Sequence, residues 1–205
     1  MNGKYVVLEG LDFAGKSVLA KQLSEALGWK TVNEPYTGNE HAAEVKRMNN
    51  ANYLPKHYEM MMIIAGRIDC FNEVINKHRK TGLISDRNVV SSMVYQSTEQ
   101  FIPSMVLELN RTAVQMAGHD IFPDQIFFLD ISHATFLERL NNCNRAVDEK
   151  DLWLKDEQNW NQLREKYLHA LNVMESCGVE IHIIDQNNTI DDLTSRIMEF
   201  GQSAY

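Results

Sequence analysis

EGLDFAGKSVLA, Glu9 to Ala20, holds Gly10, four residues and then Gly15-Lys16-Ser17. The apolar run Tyr5-Val6-Val7-Leu8 before it reads as a strand, and Gly15 to Leu27 reads as a helix that Gly28 stops. Strand, glycine-bounded loop and helix make the context a phosphate-cradling loop requires. Glycine lets the backbone turn its N–H groups inward around an anion, and the helix N-terminus adds the positive end of its dipole. In this reading Gly10 and Gly15 shape the cradle, Lys16 reaches the terminal phosphates of a nucleotide, and Ser17 holds Mg²⁺.

Outward from the loop, short apolar runs alternate with longer amphipathic ones. Trp29–Val32, Leu83–Ser85, Gln125–Leu129 and Glu180–Ile184 read as further strands. Helical patterns cover Tyr58–His78, Val106 to Met116, His133–Leu140, Trp160 to Met174 and Ile190 to Ile197. Five strands with helices between them predict an α/β fold, a P-loop three-layer α/β/α sandwich on a five-stranded parallel sheet. Ligands in such folds bind at the carboxyl ends of the strands. Asn141 to Lys150 is polar and reads as a loop, and of the consecutive Met60, Met61 and Met62 at least two are expected in the core.

The 205 residues suffice for one domain with a substantial core. A formal charge of −8 argues against nucleic acid as a partner, although a nucleotide site can still be locally positive. No apolar run reaches the roughly 20 residues of a membrane helix, and the chain enters its first strand at once, so neither a membrane span nor a signal peptide is expected. Cys70, Cys143 and Cys177 form neither a zinc pattern nor a disulfide framework, which fits a reducing, cytoplasmic compartment. The seven histidines show no ligand spacing.

A second stretch, LISDRNVVSSMVYQS from Leu83 to Ser97, puts Asp86-Arg87 just past a buried strand, where the ligand edge should be. A carboxylate there can support Mg²⁺, and an arginine can grip a phosphate bidentately. Two phosphate-binding elements at one sheet edge suggest two phosphorylated ligands, hence a kinase rather than a hydrolase.

Together these pieces resemble the thymidylate kinase family of nucleoside monophosphate kinases. The resemblance runs through LEGLDFAGKS, Glu34-Pro35, Ile63-Ile64-Ala65-Gly66-Arg67, Ser85-Asp86-Arg87 with Ser91, Ser92, Tyr95 and Gln96, Leu129-Asp130 with Arg139, and Tyr167-Leu168. It implies ATP as donor, Mg²⁺ as cofactor, a deoxynucleoside monophosphate as acceptor, and a homodimer packed through helices. It implies that Asp12 accepts a hydrogen bond from the acceptor's 3′-hydroxyl, Arg87 holds the acceptor phosphate, and Asp86 supports the metal. Arg67 and Ser92 would address the base, and Tyr95 would stack under the sugar and crowd a 2′-hydroxyl. Glu34, Ile63 and Gln96 would complete the acceptor pocket. Arg139, with the loop at Asp185-Gln186-Asn187, would cover the adenine of ATP.

Several positions depart from the family pattern. Phe13 stands where the family often has Gly or Arg, which shifts the search for catalytic charge to a lid at about 141–155. Arg145, Lys150 and Lys155 are its candidates, and Arg145 is the choice because a guanidinium spreads charge over several phosphate oxygens. Ile63 replaces a base-stacking Phe, Asn88 an aromatic or His, Asn33 an Arg, and Val18 a Thr. These changes cluster on the acceptor side: the resemblance implies dTMP as acceptor, and the departures, Ile63 above all, point away from strict thymine specificity to another or a 5-modified deoxypyrimidine monophosphate. Two other functions share the loop. A deoxynucleoside kinase uses an acidic base on a hydroxyl, and Asp12 with Tyr95-Gln96 weighs against it. An inactive nucleotide-binding sensor would not need Lys16, Ser17, Asp86 and Arg87 together.

Overall fold

The computed structural model describes residues 4–50, 55–144, 146–185 and 187–199, and of residues 46, 49 and 50 the backbone alone. The strands are β1 (Tyr5–Glu9), β2 (Lys30–Asn33), β3 (Leu83–Asp86), β4 (Gln125–Leu129) and β5 (Glu180–Ile184). They form one parallel sheet in the order β2-β3-β1-β4-β5. β1, β3 and β4 are buried along their whole length, which is why they read as mostly apolar runs rather than alternating ones.

The chain leaves β1 toward β2 and β3, then crosses back to lay β4 on the other side of β1. Ligands gather at the carboxyl ends where the strand order reverses. Register lines up those ends: Leu8 and Asn33 both stand beside Asp86, and Glu9 stands beside Phe128. The loops after β1, β2 and β3 therefore open on one rim.

Helices cover the sheet. α1 (Lys16–Leu27) follows the phosphate loop and ends on Gly28, whose left-handed φ of 68° places its N–H on the carbonyl of Ser24. α3 (Lys56–Cys70) runs through a π-helical turn (Phe71–Ile75) into α4 (Asn76–His78), so the predicted single helix is present with a wide turn inside it. α6 (Pro103–Met116), α7 (His133–Asn141), α9 (Glu157–Ser176) and α10 (Ile190–Glu199) match the remaining helical patterns. The core includes Tyr5, Phe71, Phe127, Phe128, Phe136 and Tyr167, all nearly inaccessible. Each such side chain contributes about 1.5–3 kcal/mol of burial.

Three helices depart from the sequence expectation. α2 (Glu40–Asn50) is mostly polar, with few apolar residues to mark it. α5 (Val89–Tyr95) has the sequence VVSSMVY, rich in β-branched residues, and is helical because its first turn is capped: Asn88 Oδ1 accepts the N–H of Val90. α8 (Glu149–Trp153) begins on a capping box between Asp148 and Asp151, so the segment read as a loop to Lys150 turns helical at Glu149. Of the three consecutive methionines Met60 alone is in the core, while Met61 is 53% exposed, because successive helix positions point about 100° apart. No helix among the described residues is long and apolar enough to cross a membrane.

Candidate active site

The phosphate loop takes the shape its glycines allow. Gly10 has φ 149°, and a Cβ there would lie 2.8 Å from the carbonyl oxygen of Leu129. Gly15 has φ 98° and starts α1. Phe13 has φ 62° without being glycine, a conformation that costs on the order of 1–2 kcal/mol. Its ring packs edge-to-face on Phe136 at 5.7 Å, a contact that offsets part of the strain. Arg139 steadies the same turn by donating to the carbonyls of Phe13 and Ala14, each at 2.9 Å.

Lys16 folds across its own loop and donates to the carbonyls of Gly10 (3.0 Å) and Leu11 (2.8 Å). Burial, reinforced by the positive charge of Arg87, brings its ammonium down to about 7. Ser17 donates to Asp86 Oδ2 at 2.5 Å, which joins the start of α1 to the end of β3. These hard oxygen donors beside a phosphate cavity fit Mg²⁺, which binds through one or two protein oxygens and completes its shell with phosphate and water.

Across the cavity, Arg87 sits in a left-handed turn (φ 75°) immediately after β3. One terminal nitrogen donates to Ser91 Oγ and to the hydroxyl of Tyr167, each at 2.9 Å, and the other to Asp12 Oδ1 at 2.5 Å. Lys150 donates to the second oxygen of Asp12, and its ammonium lies 4.0 Å from the centroid of the Tyr95 ring. Burial would raise the Asp12 carboxyl, but Arg87, Lys150 and Lys16 together outweigh it and hold the group well below the usual range. Burial, with Asp12 next in effect, pushes the Tyr95 phenol up, so it stays neutral.

Asp12 and Arg87 line two cavities at once. One, of about 350 Å³, is the phosphate cavity, with Gly15, Lys16, Ser17 and Asp86. The other, also about 350 Å³, runs past Tyr95, Ser92, Ile63 and Arg67 to Glu59 and Gln96. A third, about 640 Å³, lies beyond the loop between Val18, Gln22, Arg139, Asp185 and Asn188. The three cavities adjoin through shared lining: Asp12 and Arg87 stand between the first two, and Phe13, Gly15 and Val18 between the first and the third.

At the far end of the second cavity Arg67 is 3% exposed and almost fully committed. It donates through Nε to Glu34 Oε2 at 2.7 Å, to Ser92 Oγ at 3.0 Å, and to Asn110 Oδ1. Removing one partner of a buried pair leaves the other charge uncompensated. Glu34→Ala is therefore expected to cost about 3–5 kcal/mol of stability, measurable as a shift of the urea midpoint. Glu34 Oε1, Asn88 Nδ2 and Gln96 Oε1 are buried without a partner among the described residues, and all three side chains line this cavity. Buried orphan groups cost energy unless a ligand or water meets them. Gln96 Nε2 donates to Glu59 Oε1 at 3.2 Å, which fixes which end of its amide is presented.

The sequence-derived candidates Gly10, Asp12, Gly15, Lys16, Ser17, Glu34, Ile63, Arg67, Asp86, Arg87, Ser92, Tyr95, Gln96 and Arg139 thus all line these cavities or brace the loop beside them. Arg145 and Gln186 lie outside the described residues, while Lys155 is exposed. Sequence reasoning missed Glu9, Asn110 and the Tyr167 hydroxyl. The signal for the first two was a polar residue in an otherwise apolar buried pattern. Glu9 closes a fully buried strand, and Asn110 sits on the buried face of α6.

Two cavities that share an acid and an arginine, one of them bounded by a glycine-rich loop, suit a reaction in which a phosphoryl group passes between two nucleotides. With a phosphate loop on this strand order, that defines a P-loop nucleotide kinase. The family model for thymidylate kinase matches residues 8–197, and the chain belongs to the thymidylate kinase family. It is 27% identical over 196 residues to the thymidylate kinase of Sulfurimonas denitrificans, covering 95% of this chain and 97% of that one. It is 29% identical over 204 residues to that of Thermosipho africanus, covering 94% of each. In fold it is similar to the crystal structure of thymidylate kinase from Ehrlichia chaffeensis, with TM-score 0.67 and 21% identity over 98% of this chain and 100% of that one. It is likewise similar to the thymidylate kinase structure from Candida albicans, with TM-score 0.66 and 19% identity over 98% and 92%.

Proposed function

We propose that the chain transfers the γ-phosphoryl group of ATP to the phosphate of dTMP, giving dTDP and ADP. The observation that carries this is the pair of cavities meeting at Asp12 and Arg87. ATP lies with its adenine beside Arg139 and its phosphates over the loop. dTMP lies with its base toward Arg67 and Ser92 and its sugar against Tyr95. Lys16 follows the transferring group, and Arg87 holds the acceptor phosphate in line and neutralises charge as it builds. Asp12 orients the two cations and receives the 3′-hydroxyl. Ser17 and Asp86 would hold Mg²⁺, which when bound would supply charge neutralisation on the donor phosphates. A phosphate acceptor is already a nucleophile, so no general base is required. Asp12 in the loop, with Tyr95 and Gln96 in the adjoining cavity, favours a monophosphate over a nucleoside acceptor.

Residues 141–155 act as the lid, and among its described cations Lys150 meets Asp12 and Tyr95 while Lys155 is exposed. Lys150→Ala is expected to lower kcat about 10²-fold with a smaller change in the KM of ATP, and Lys150→Arg to retain most of the rate. Steady-state kinetics of the two variants check this. The exposed Tyr58 and Met61 of α3 and Met105 and Met116 of α6 support packing of two copies through these helices.

The test is a coupled assay of ADP release with Mg²⁺-ATP and each deoxynucleoside monophosphate in turn. Turnover with dTMP is expected. ATP binding without ADP release for any monophosphate would sink the reading.

A further inference from the structure

We propose that Glu9 is a positioning residue for Arg87: its carboxylate fixes the backbone after the arginine and, through the Ser91 hydroxyl, the guanidinium itself. This rests on the reading of Arg87 as the acceptor-phosphate ligand.

Glu9 ends β1 with no exposed surface and lines neither the acceptor nor the phosphate cavity. Its Oε1 accepts the N–H of Asn88 at 2.8 Å and that of Ser91 at 3.2 Å, and its Oε2 accepts the hydroxyl of Ser91 at 2.8 Å. A buried carboxylate is tolerated when its oxygens are met in this way. Burial raises its pKa even so, against the opposing influence of Arg87.

The geometry gives Ser91 a direction. A hydroxyl has one hydrogen, and here it goes to Glu9, so the lone pairs of Ser91 Oγ face Arg87, whose terminal nitrogen donates at 2.9 Å. Arginine can only donate, so a Ser91 hydrogen turned toward it would repel it. Glu9 removes that alternative.

The backbone is held too. Left-handed φ at a non-glycine residue persists only where its surroundings impose it. The N–H of Arg87 donates to Leu8, its carbonyl accepts from Ser85 Oγ, and the next amide, at Asn88, is taken by Glu9. The turn that aims Arg87 at the junction is thereby clamped on both sides.

The experiment measures KM for dTMP and for ATP in the unaltered chain, in Glu9→Gln, Ser91→Ala and Ser91→Thr, and in the double variant Glu9→Gln/Ser91→Ala. Expected are a roughly tenfold rise in KM for dTMP in each of the first two variants and an unchanged KM for ATP. Ser91→Thr, which restores the hydroxyl, should fall within about twofold of the unaltered chain. The double variant should be no worse than the worse single, because coupled residues are non-additive. Equal shifts for both substrates, multiplicative effects or unaltered KM values would overturn the proposal. Should Glu9→Gln fail to fold, Glu9→Asp, which keeps the charge but shortens its reach to Asn88 and Ser91, takes its place in the same comparison with the same expected rise in KM for dTMP alone. Absence of turnover in the unaltered chain would instead remove the acceptor reading, and the proposal with it.

Discussion

Lys16→Ala is expected to lower kcat by about 10³-fold or more while the chain stays folded. The side chain is 7% exposed and its ammonium is bound to two loop carbonyls, so it is aimed before a nucleotide arrives. Its charge is depressed in the empty loop, because burial and Arg87 bring its pKa to about 7. A polyphosphate beside it favours the charged form. Burial therefore weakens the charge on Lys16 in the empty loop, and ATP binding above neutral pH should draw in protons. Calorimetry of ATP binding in buffers of differing ionisation enthalpy reads this uptake. The unaltered chain should show it and Lys16→Ala should not. Retention of full turnover by Lys16→Ala would contradict its placement at the transferring phosphoryl.

The second large effect belongs to Arg87. Arg87→Ala should raise KM for dTMP about 10²-fold and lower kcat/KM for dTMP by about 10³-fold or more, with little change in ATP affinity. Arg87 lines both cavities, and in the proposed reading it acts on the acceptor in the ground state and on the charge that builds during transfer. Its loss also leaves Asp12 with Lys150 as its ion-pair partner and removes the contacts to Ser91 and Tyr167. Arg87→Lys keeps a charge but cannot reach Asp12, Ser91 and Tyr167 together, so its kinetics should lie between the alanine variant and the unaltered chain. Equal damage to ATP and dTMP binding would contradict an acceptor-side role.

The contrast between what the sequence revealed and what it concealed follows from range. The phosphate loop is a local device: its glycines, Lys16 and Ser17 lie within eight consecutive positions, between a strand and a helix. The central strands were legible because a sheet covered on both faces needs apolar residues throughout. Asp86 and Arg87 could be placed because strand ends are where such folds bind ligands. α5 was hidden because its VVSSMVY sequence favours a strand, and its first turn is held by Asn88 and by Glu9, which lies 82 residues from Ser91 in the chain. Lys150 meets Asp12 across a separation of 138 residues, and no local pattern around either residue reports it. The commitment of Arg67 to Glu34, Asn110 and Ser92 draws on four segments that only the packed fold brings together.

The most direct measurement follows the phosphoryl group itself. The purified chain is incubated with Mg²⁺, ATP labelled at the γ-phosphate and dTMP, and the nucleotides are separated. Label should appear in the terminal phosphate of dTDP, with one ADP formed for each dTDP. Label recovered solely as inorganic phosphate, or as unchanged ATP released from the protein, would contradict transfer between two nucleotides meeting at Asp12 and Arg87.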